Sequence, residues 1–231
     1  MHFSARGLRK QYAAGTPGCS AVARVLCGVN LELAPADIVG IAGARGAGKT
    51  TLVRCVAGLA RPDAGALHWG PAAQRPRVVS LSPAAYPFDT VRDVIERASS
   101  DSAVDPCRLA EMIGALGLAA AADTAQVALT TDERARLALA IGLATQHALL
   151  LLDGTCDALA AGSRAAVRDR LRAHAAAGGA VLLAGRDGIA LAALADRVVE
   201  LRDGVLHSMG EAGHRPASAR VAEAPASPEV R

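Results

Sequence analysis

Residues 37–50, DIVGIAGARGAGKT, constrain this chain more than any other stretch. DIVGIAG is a continuous apolar run, the pattern of a strand covered on both faces. GARGAGKT, Gly43 to Thr50, fits G-x-x-x-x-G-K-[S/T] at every fixed position. TTLVRCVAGLA then reads as a helix stopped by RPDAG. A strand, a glycine loop and a helix in this order make a cradle for phosphate. The backbone of Gly43, Ala44, Arg45, Gly46, Ala47 and Gly48 can turn successive N–H groups inward around anionic oxygens. Lys49 adds a point charge between the β- and γ-phosphates, and Thr50 offers a hydroxyl to Mg²⁺. The helix N-terminus points unpaired N–H groups and partial positive charge at the same place. A nucleoside triphosphate with Mg²⁺ is the ligand class this implies.

The 231 residues suffice for one large domain with a subdomain. Charge argues against a nucleic-acid binder, because 25 basic and 22 acidic residues leave only +3. Cys19, Cys27, Cys55, Cys107 and Cys156 are odd in number and scattered, with no C-x-x-C pair. A disulfide framework or zinc site is not expected, and a reducing cytosol fits. MHFSARGLRKQY lacks the apolar core of a signal peptide, and LALAIGLATQHALLLL is interrupted by Gln146 and His147. No span of about 18 apolar residues exists to cross a membrane, so a membrane role must come through a partner.

HFSARGLRKQY and AVARVLCGVNLELAPAD read as strands around the turn AAGTPGCS. RVVSLS is another short strand. Residues 90–145 switch to helical spacing in TVRDVIERAS, DPCRLAEMIGALGL and TDERARLALAIGLATQ, with no strand between them. ALLLLD and GAVLLAG then read as buried strands, GSRAAVRDRLRAHAAAG and DGIALAALA as helices, and DRVVELRDGVL as a closing strand pair. Strand–helix alternation predicts an α/β fold, a mostly parallel sheet flanked by helices. From Gly210 onward Ala, Pro, Ser and Glu without periodicity predict a disordered tail over 210–231. Asp153 closes the ALLLLD strand beside the cradle and is the natural second ligand for Mg²⁺.

The stretch VLCGVNLELAPADIVGIAGARGAGKTTLVRCVAGLARPDAGAL closely resembles the start of an ATP-binding-cassette (ABC) transporter nucleotide-binding domain. RLALAIGLATQHALLLLD resembles that family's signature helix and Walker B strand, and ALADRVVELRDGVL its last strands. The resemblance covers residues 6 to about 207. It implies a P-loop NTPase fold over 1–209, with an N-terminal antiparallel β-subdomain and a helical subdomain inserted at about 90–145. It also implies that Tyr12 stacks on adenine, which an edge-strand tyrosine need not do, and that Thr51 touches the α-phosphate. By the same resemblance the partners are a membrane-spanning permease and a second nucleotide-binding subunit, with no nucleic acid. The place is cytoplasmic, peripheral on the cytoplasmic face of the cell membrane.

Several positions depart from the family's pattern. Where the family has a catalytic glutamate after the Walker B aspartate, this chain has Gly154; where it has a switch histidine, Arg186. The expected glutamine falls on Pro83, or on Ser82 if the register slips. The aspartate of the loop after Walker B falls on Ala160. The signature L-S-G-G-Q is LTTDE, Leu129 to Glu133, with Thr131 and Asp132 at the glycine positions. Thr130 and Glu133 instead form a capping-box pattern. Asp132 and Glu133 would put two carboxylates toward a triphosphate, a repulsion of roughly 1–4 kcal/mol per close pair. Asp157 reads as a turn aspartate on a surface loop more readily than as a substitute base. The pattern predicts Mg-ATP binding with poor or absent hydrolysis, in a degenerate or regulatory cassette. Alternatives are a catalytically active ABC ATPase, a soluble ABC protein outside transport, and a P-loop kinase.

Overall fold

A computed structural model describes residues 2–14, 21–71, 76–80, 88–101, 103–145 and 147–208. Two sheets carry the chain. Three antiparallel strands form the first, in the order β2–β1–β4: β1 (Phe3–Ala14), β2 (Ala21–Leu33) and β4 (Ala64–Trp69). Six strands form the second. Besides β3 (Ile38–Ala42) these are β5 (Arg77–Ser80), β6 (Leu149–Asp153), β7 (Ala180–Gly185), β8 (Arg197–Arg202) and β9 (Val205–Ser208). Their order is β5–β6–β7–β3–β8–β9, parallel except for the closing β8–β9 hairpin. The α/β P-loop architecture expected from sequence is the one observed. β4 was not foreseen: AGALHW follows directly on the helix stop and is largely exposed, so no apolar run announces it.

The apolar strands are buried on both faces, and alternate residues serve different cores. Val39, Ile41, Leu149, Leu151 and Leu182 face helix α1 (Lys49–Val56) and the antiparallel sheet. Ile38, Leu150, Leu152, Val181 and Leu183 face the opposite way. There they meet α4 (Thr131–Ala144), α5 (Arg164–Ala176) and α6 (Gly188–Ala192). A strand sandwiched this way has no polar face to keep, which is why LLLLD and AVLLAG read as continuous runs.

Helices α2 (Val91–Ser99) and α3 (Pro106–Ala115) lie with α4 between β5 and β6 in sequence. Each of α2 and α4 opens on a capping box, Thr90 with Asp93 and Thr130 with Glu133. Asp105 caps α3, accepting from the amides of Cys107 and Arg108, with Pro106 at the first helical position. The antiparallel sheet is locked to α1 by Trp69, whose indole N–H donates to Val56 O at 2.8 Å and whose ring packs on Phe3 at 5.8 Å. Residues 209–231, which include the predicted tail, lie outside the described residues. Among those described, no helix is long and apolar enough to cross a membrane.

Candidate phosphate site and its surroundings

The cradle sits at the carboxyl end of β3, beside the ends of β6 and β7. Gly48 takes φ +101, a left-handed conformation, and α1 begins directly after it with no side-chain cap. The first-turn N–H groups are therefore left for a ligand, as a phosphate site requires. A side chain at Gly48 would also collide with β2, since a Cβ there would lie 2.8 Å from Val25 Cγ1 and 2.9 Å from Val25 O. The antiparallel sheet thus presses directly on the loop.

The Lys49 ammonium donates to Gly43 O at 2.7 Å and Ala44 O at 2.8 Å, so it is held within the loop. Its pKa lies below the usual lysine value. Desolvation by burial is the chief cause, with Asp157 and Asp153 acting upward and Arg186 downward. Thr50 Oγ1 donates to Asp153 Oδ1 at 3.1 Å. Two residues 103 apart in sequence are thereby joined at the foot of the cradle. Arg45 and Gly46 are exposed at the tip of the loop and Thr51 is half-buried on α1.

Tyr12 lies on β1 opposite Ala23, two residues from the Val25 that touches Gly48. The residue is 42% exposed, with the Lys10 ammonium 5.4 Å from the ring centroid. One face is therefore shared with a cation, and part of the residue is open to solvent. Pro83 and Ser82 lie outside the described residues, so the glutamine position has no structural account.

After Asp153 the chain departs sharply. Gly154 adopts φ +71, its N–H donates to Ala184 O at 2.9 Å, and a short 3₁₀ turn follows over Thr155–Ala158. The turn is seated by the buried Thr155, whose hydroxyl donates to Val79 O. It delivers Asp157 to the end of β7. There Asp157 Oδ1 accepts from the Arg186 backbone N–H at 2.8 Å and Oδ2 from Arg186 Nε at 3.1 Å. Asp157 is therefore not a solvated turn residue: its side chain is only 16% exposed, against 65% for Arg186. Its partner is 29 residues away and becomes a neighbour only because β6 and β7 pair, so local sequence held no signal for it.

The signature segment is also differently disposed from the expectation. The capping box forms: Glu133 N–H donates to Thr130 Oγ1 at 3.2 Å, and Thr130 N–H to Glu133 Oε2 at 2.8 Å. Asp132, however, is fully engaged within this chain. Its Oδ1 accepts from Ala160 N–H at 2.8 Å, and its Oδ2 from Ser163 Oγ at 2.9 Å and Arg136 Nε at 2.8 Å. Neither carboxylate is free: Asp132 is paired with Arg136, and Glu133 closes the helix cap. Glu133 is held below the usual carboxylate range by the hydrogen bonds from the Thr130 side chain and backbone.

These features can be set against known proteins. The ABC transporter family profile matches residues 26–157. This chain belongs to the ABC transporter family. An aliphatic sulfonates import ATP-binding protein, SsuB 3 of Paraburkholderia xenovorans, is 32% identical over 208 residues, 88% of this chain and 78% of that protein. SsuB of Ralstonia nicotianae is 35% identical over 186 residues, 78% of this chain and 65% of its own length. The sn-glycerol-3-phosphate import ATP-binding protein UgpC of Cupriavidus metallidurans is 31% identical, over 99% of this chain and 65% of its own. A solved ATP-binding subunit of an ABC transporter superposes with a TM-score of 0.75 at 19% identity, over 92% of this chain and 90% of that one. The dimeric bacterial cassette MJ0796 does so with the same score, over 92% of this chain and 100% of that one. Both carry the ABC fold of this chain.

Proposed function

We propose that this ABC family member is a transporter subunit that binds Mg-ATP through Gly43–Thr51 and hydrolyses it slowly or not at all. The observation that carries the reading is the contrast between Thr50–Asp153 and Asp157–Arg186. The first pair offers a hydroxyl and a carboxylate 3.1 Å apart, beside the Lys49 ammonium. Both are hard oxygen donors, the kind Mg²⁺ takes alongside substrate phosphates and water. Among the described residues no cluster of three or more His, Cys, Asp or Glu forms a metal cage, so the nucleotide would supply the remaining charge. Bound there, Mg²⁺ would neutralise phosphate charge. Lys49 would hold the β- and γ-phosphates, and Tyr12 would offer its open face to the base.

The second pair works against water activation. Gly154 has no side chain to accept a proton, and loss of a general base typically costs about 10²–10⁴ in rate. The nearest replacement, Asp157, has both oxygens engaged by Arg186. Arg186 binds anions but cannot relay a proton at neutral pH. In a head-to-tail pair of cassettes, α4 would present a capped helix end to the other subunit's nucleotide. Both composite sites would then be weakened, which favours a regulatory role over a division of labour.

A permease partner is supported by the import proteins among the relatives and by an apolar surface on the helical segment. Phe88 is 83% and Val127 59% exposed. The two turns that carry them are joined by Gln126 N–H donating to Asp89 O at 2.8 Å. A second nucleotide-binding subunit, and a place on the cytoplasmic face of the membrane, follow from the same reading.

Calorimetry with Mg-ATP, wild type against Lys49→Ala, tests the binding half. Heat of binding that persists unchanged in the variant would remove the P-loop from the account. Steady-state turnover tests the other half. Magnesium-dependent hydrolysis at about 1 s⁻¹ or faster, on the scale of ordinary enzymes, would replace it with an active ATPase.

A further inference from the structure

We infer that Asp63 is a positioning residue that, through Lys10, sets the Tyr12 ring as the platform for a nucleotide's base, and so ties that platform to the helix that carries the phosphate cradle. This deepens the ATP-binding reading and rests on it. Tyr12 needs such support. β4 leaves β1 at Arg9, which pairs with Ala64. From Lys10 onward β1 has, among the described residues, a neighbouring strand on one side only. That side is irregular too. Lys10 pairs with Leu26 and Gln11 with Arg24, so Val25 bulges out of the β2 ladder, beside Gly48 of the cradle. A strand end held on one edge by a bulged ladder does not fix an exposed side chain by itself.

Asp63 takes over where β4 ends. Its backbone N–H donates to Arg9 O at 2.9 Å. Its Oδ2 accepts from the Gln11 N–H at 2.7 Å and its Oδ1 from Lys10 Nζ at 2.8 Å. Residues 9, 10 and 11 are thereby held from one position, and the next is Tyr12. The same bond keeps the Lys10 ammonium 5.4 Å from the Tyr12 ring centroid, within cation–π range. The Lys10 side chain is 17% exposed, against 39% for Asp63, so the long chain lies along the surface rather than swinging in solvent. Its charge is secure, because the hydrogen bond to Asp63 raises the Lys10 pKa and lowers that of Asp63. A cation over one face leaves a stacking base the other.

Asp63 is in turn fixed by α1. The segment leading to it is pinned on the last turn of that helix, where Leu59 and Ala60 N–H both donate to Arg54 O. The Cys55 thiol of the same turn, pushed up mainly by burial, also feels the Lys10 and Asp63 charges. α1 thus meets the β1–β2 ribbon at both ends, through Gly48 against Val25 and through Asp63 against residues 9–11. Base platform and cradle are set by one element before nucleotide arrives, so less side-chain freedom is lost when the base stacks.

The test is calorimetry on the full-length chain with Mg-ATP and with inorganic tripolyphosphate and Mg²⁺, which offers three phosphates and no base. Tyr12→Ala should weaken ATP about tenfold, the scale of one base–aromatic stack, and leave tripolyphosphate unchanged. Lys10→Ala and Asp63→Asn should each weaken ATP about three- to fivefold, the scale of an exposed ion pair or cation–π contact, again without effect on tripolyphosphate. Asp63→Asn keeps an acceptor for the Gln11 N–H, so the strand itself is retained. Lys10→Arg keeps the cation and should bind ATP as wild type does. In the Tyr12→Ala background Lys10→Ala should have no further effect. Equal loss for ATP and tripolyphosphate would mean that the tie only supports the cradle, and the inference fails. It fails also if Lys10→Ala costs as much once Tyr12 is gone, since the lysine would then act on the nucleotide directly. Unchanged ATP affinity in both Lys10→Ala and Asp63→Asn refutes it as well. If Tyr12→Ala leaves ATP affinity intact, the base platform falls and takes this inference with it. If wild type binds neither ligand, the ATP-binding reading itself falls.

Discussion

Removing the Asp132 carboxylate should loosen the helical segment from the core without touching the phosphate cradle. Asp132 stands at a signature glycine position, yet it accepts three hydrogen bonds, from Ala160 N, Ser163 Oγ and Arg136 Nε. Two of these donors belong to the segment that follows β6 and one to α4 itself, so the side chain ties one to the other. Its side chain is 17% exposed and that of Arg136 16%. The pair therefore lies between an exposed ion pair, worth about 0–1 kcal/mol, and a buried one whose breakage costs about 3–5 kcal/mol. We expect Asp132→Ala to cost about 2–3 kcal/mol, discounting for the remaining solvent. In a domain of this size each kcal/mol moves the melting temperature by about 2–4 °C, which gives a fall of about 4–12 °C. Ser163→Ala removes one neutral donor only and should cost about 1 kcal/mol. Melting followed by circular dichroism measures both, and calorimetry should find Mg-ATP affinity unchanged. A further consequence is that Asp132→Gly, which restores the glycine of the signature pattern, should destabilise the protein by at least as much. Melting of Asp132→Ala within about 1 °C of wild type would refute the tie.

Three other outcomes follow from the same geometry. Gly154→Glu places a side chain at φ +71, which should cost about 1–2 kcal/mol; turnover should stay well below about 1 s⁻¹ because α4 remains capped, and brisk hydrolysis would contradict this. Alkylation of the native protein near neutral pH should modify the exposed Cys107 and spare Cys55 and Cys156, since burial pushes the Cys156 thiol up to about 12; mass spectrometry that finds Cys156 modified as fast as Cys107 would refute it. Asp93 and Glu133 are held below their usual values of 3.8 and 4.5 by hydrogen bonds from the Thr90 and Thr130 side chains. A lowered carboxylate pKa contributes stability above the unfolded value that is lost as pH falls through the folded one. The gap in melting temperature between wild type and Thr130→Ala should therefore narrow as the buffer drops from about pH 6 to below 4.5, and a gap that stays constant would refute the carboxylate's part.

What the sequence disclosed was whatever lies close along the chain. The cradle is eight consecutive residues between two elements of plain periodicity, Gly43 to Thr50, so strand, loop and helix were all legible. The cap at Thr130 reaches only three residues along the chain and was equally open to reading, while the matching one at Thr90 was not read. Helix α4 was read from helical spacing in TDERARLALAIGLATQ, and it is buried on more than one side, at Ala135, Leu137, Leu139, Ala140 and Leu143. The roles of Asp132 and Asp157 were not legible. Apart from Arg136, one turn on from Asp132, their partners stand 28 to 31 residues away and are set by the fold rather than by local pattern. β4 was missed because its residues alternate only weakly and little of it is buried, with Trp69 the single strong anchor.

The contact of Val25 with the Gly48 backbone bears on any attempt to rebuild this protein from parts. The strand that carries Val25 also pairs with the strand carrying Tyr12. Grafting residues 2–33 from a relative would import a new neighbour for the phosphate loop along with a new seat for the base. A bulkier residue at position 25 would push on Gly48 even if every loop residue were kept. Exchange of that arm should therefore succeed only when the hairpin and the glycine loop travel together.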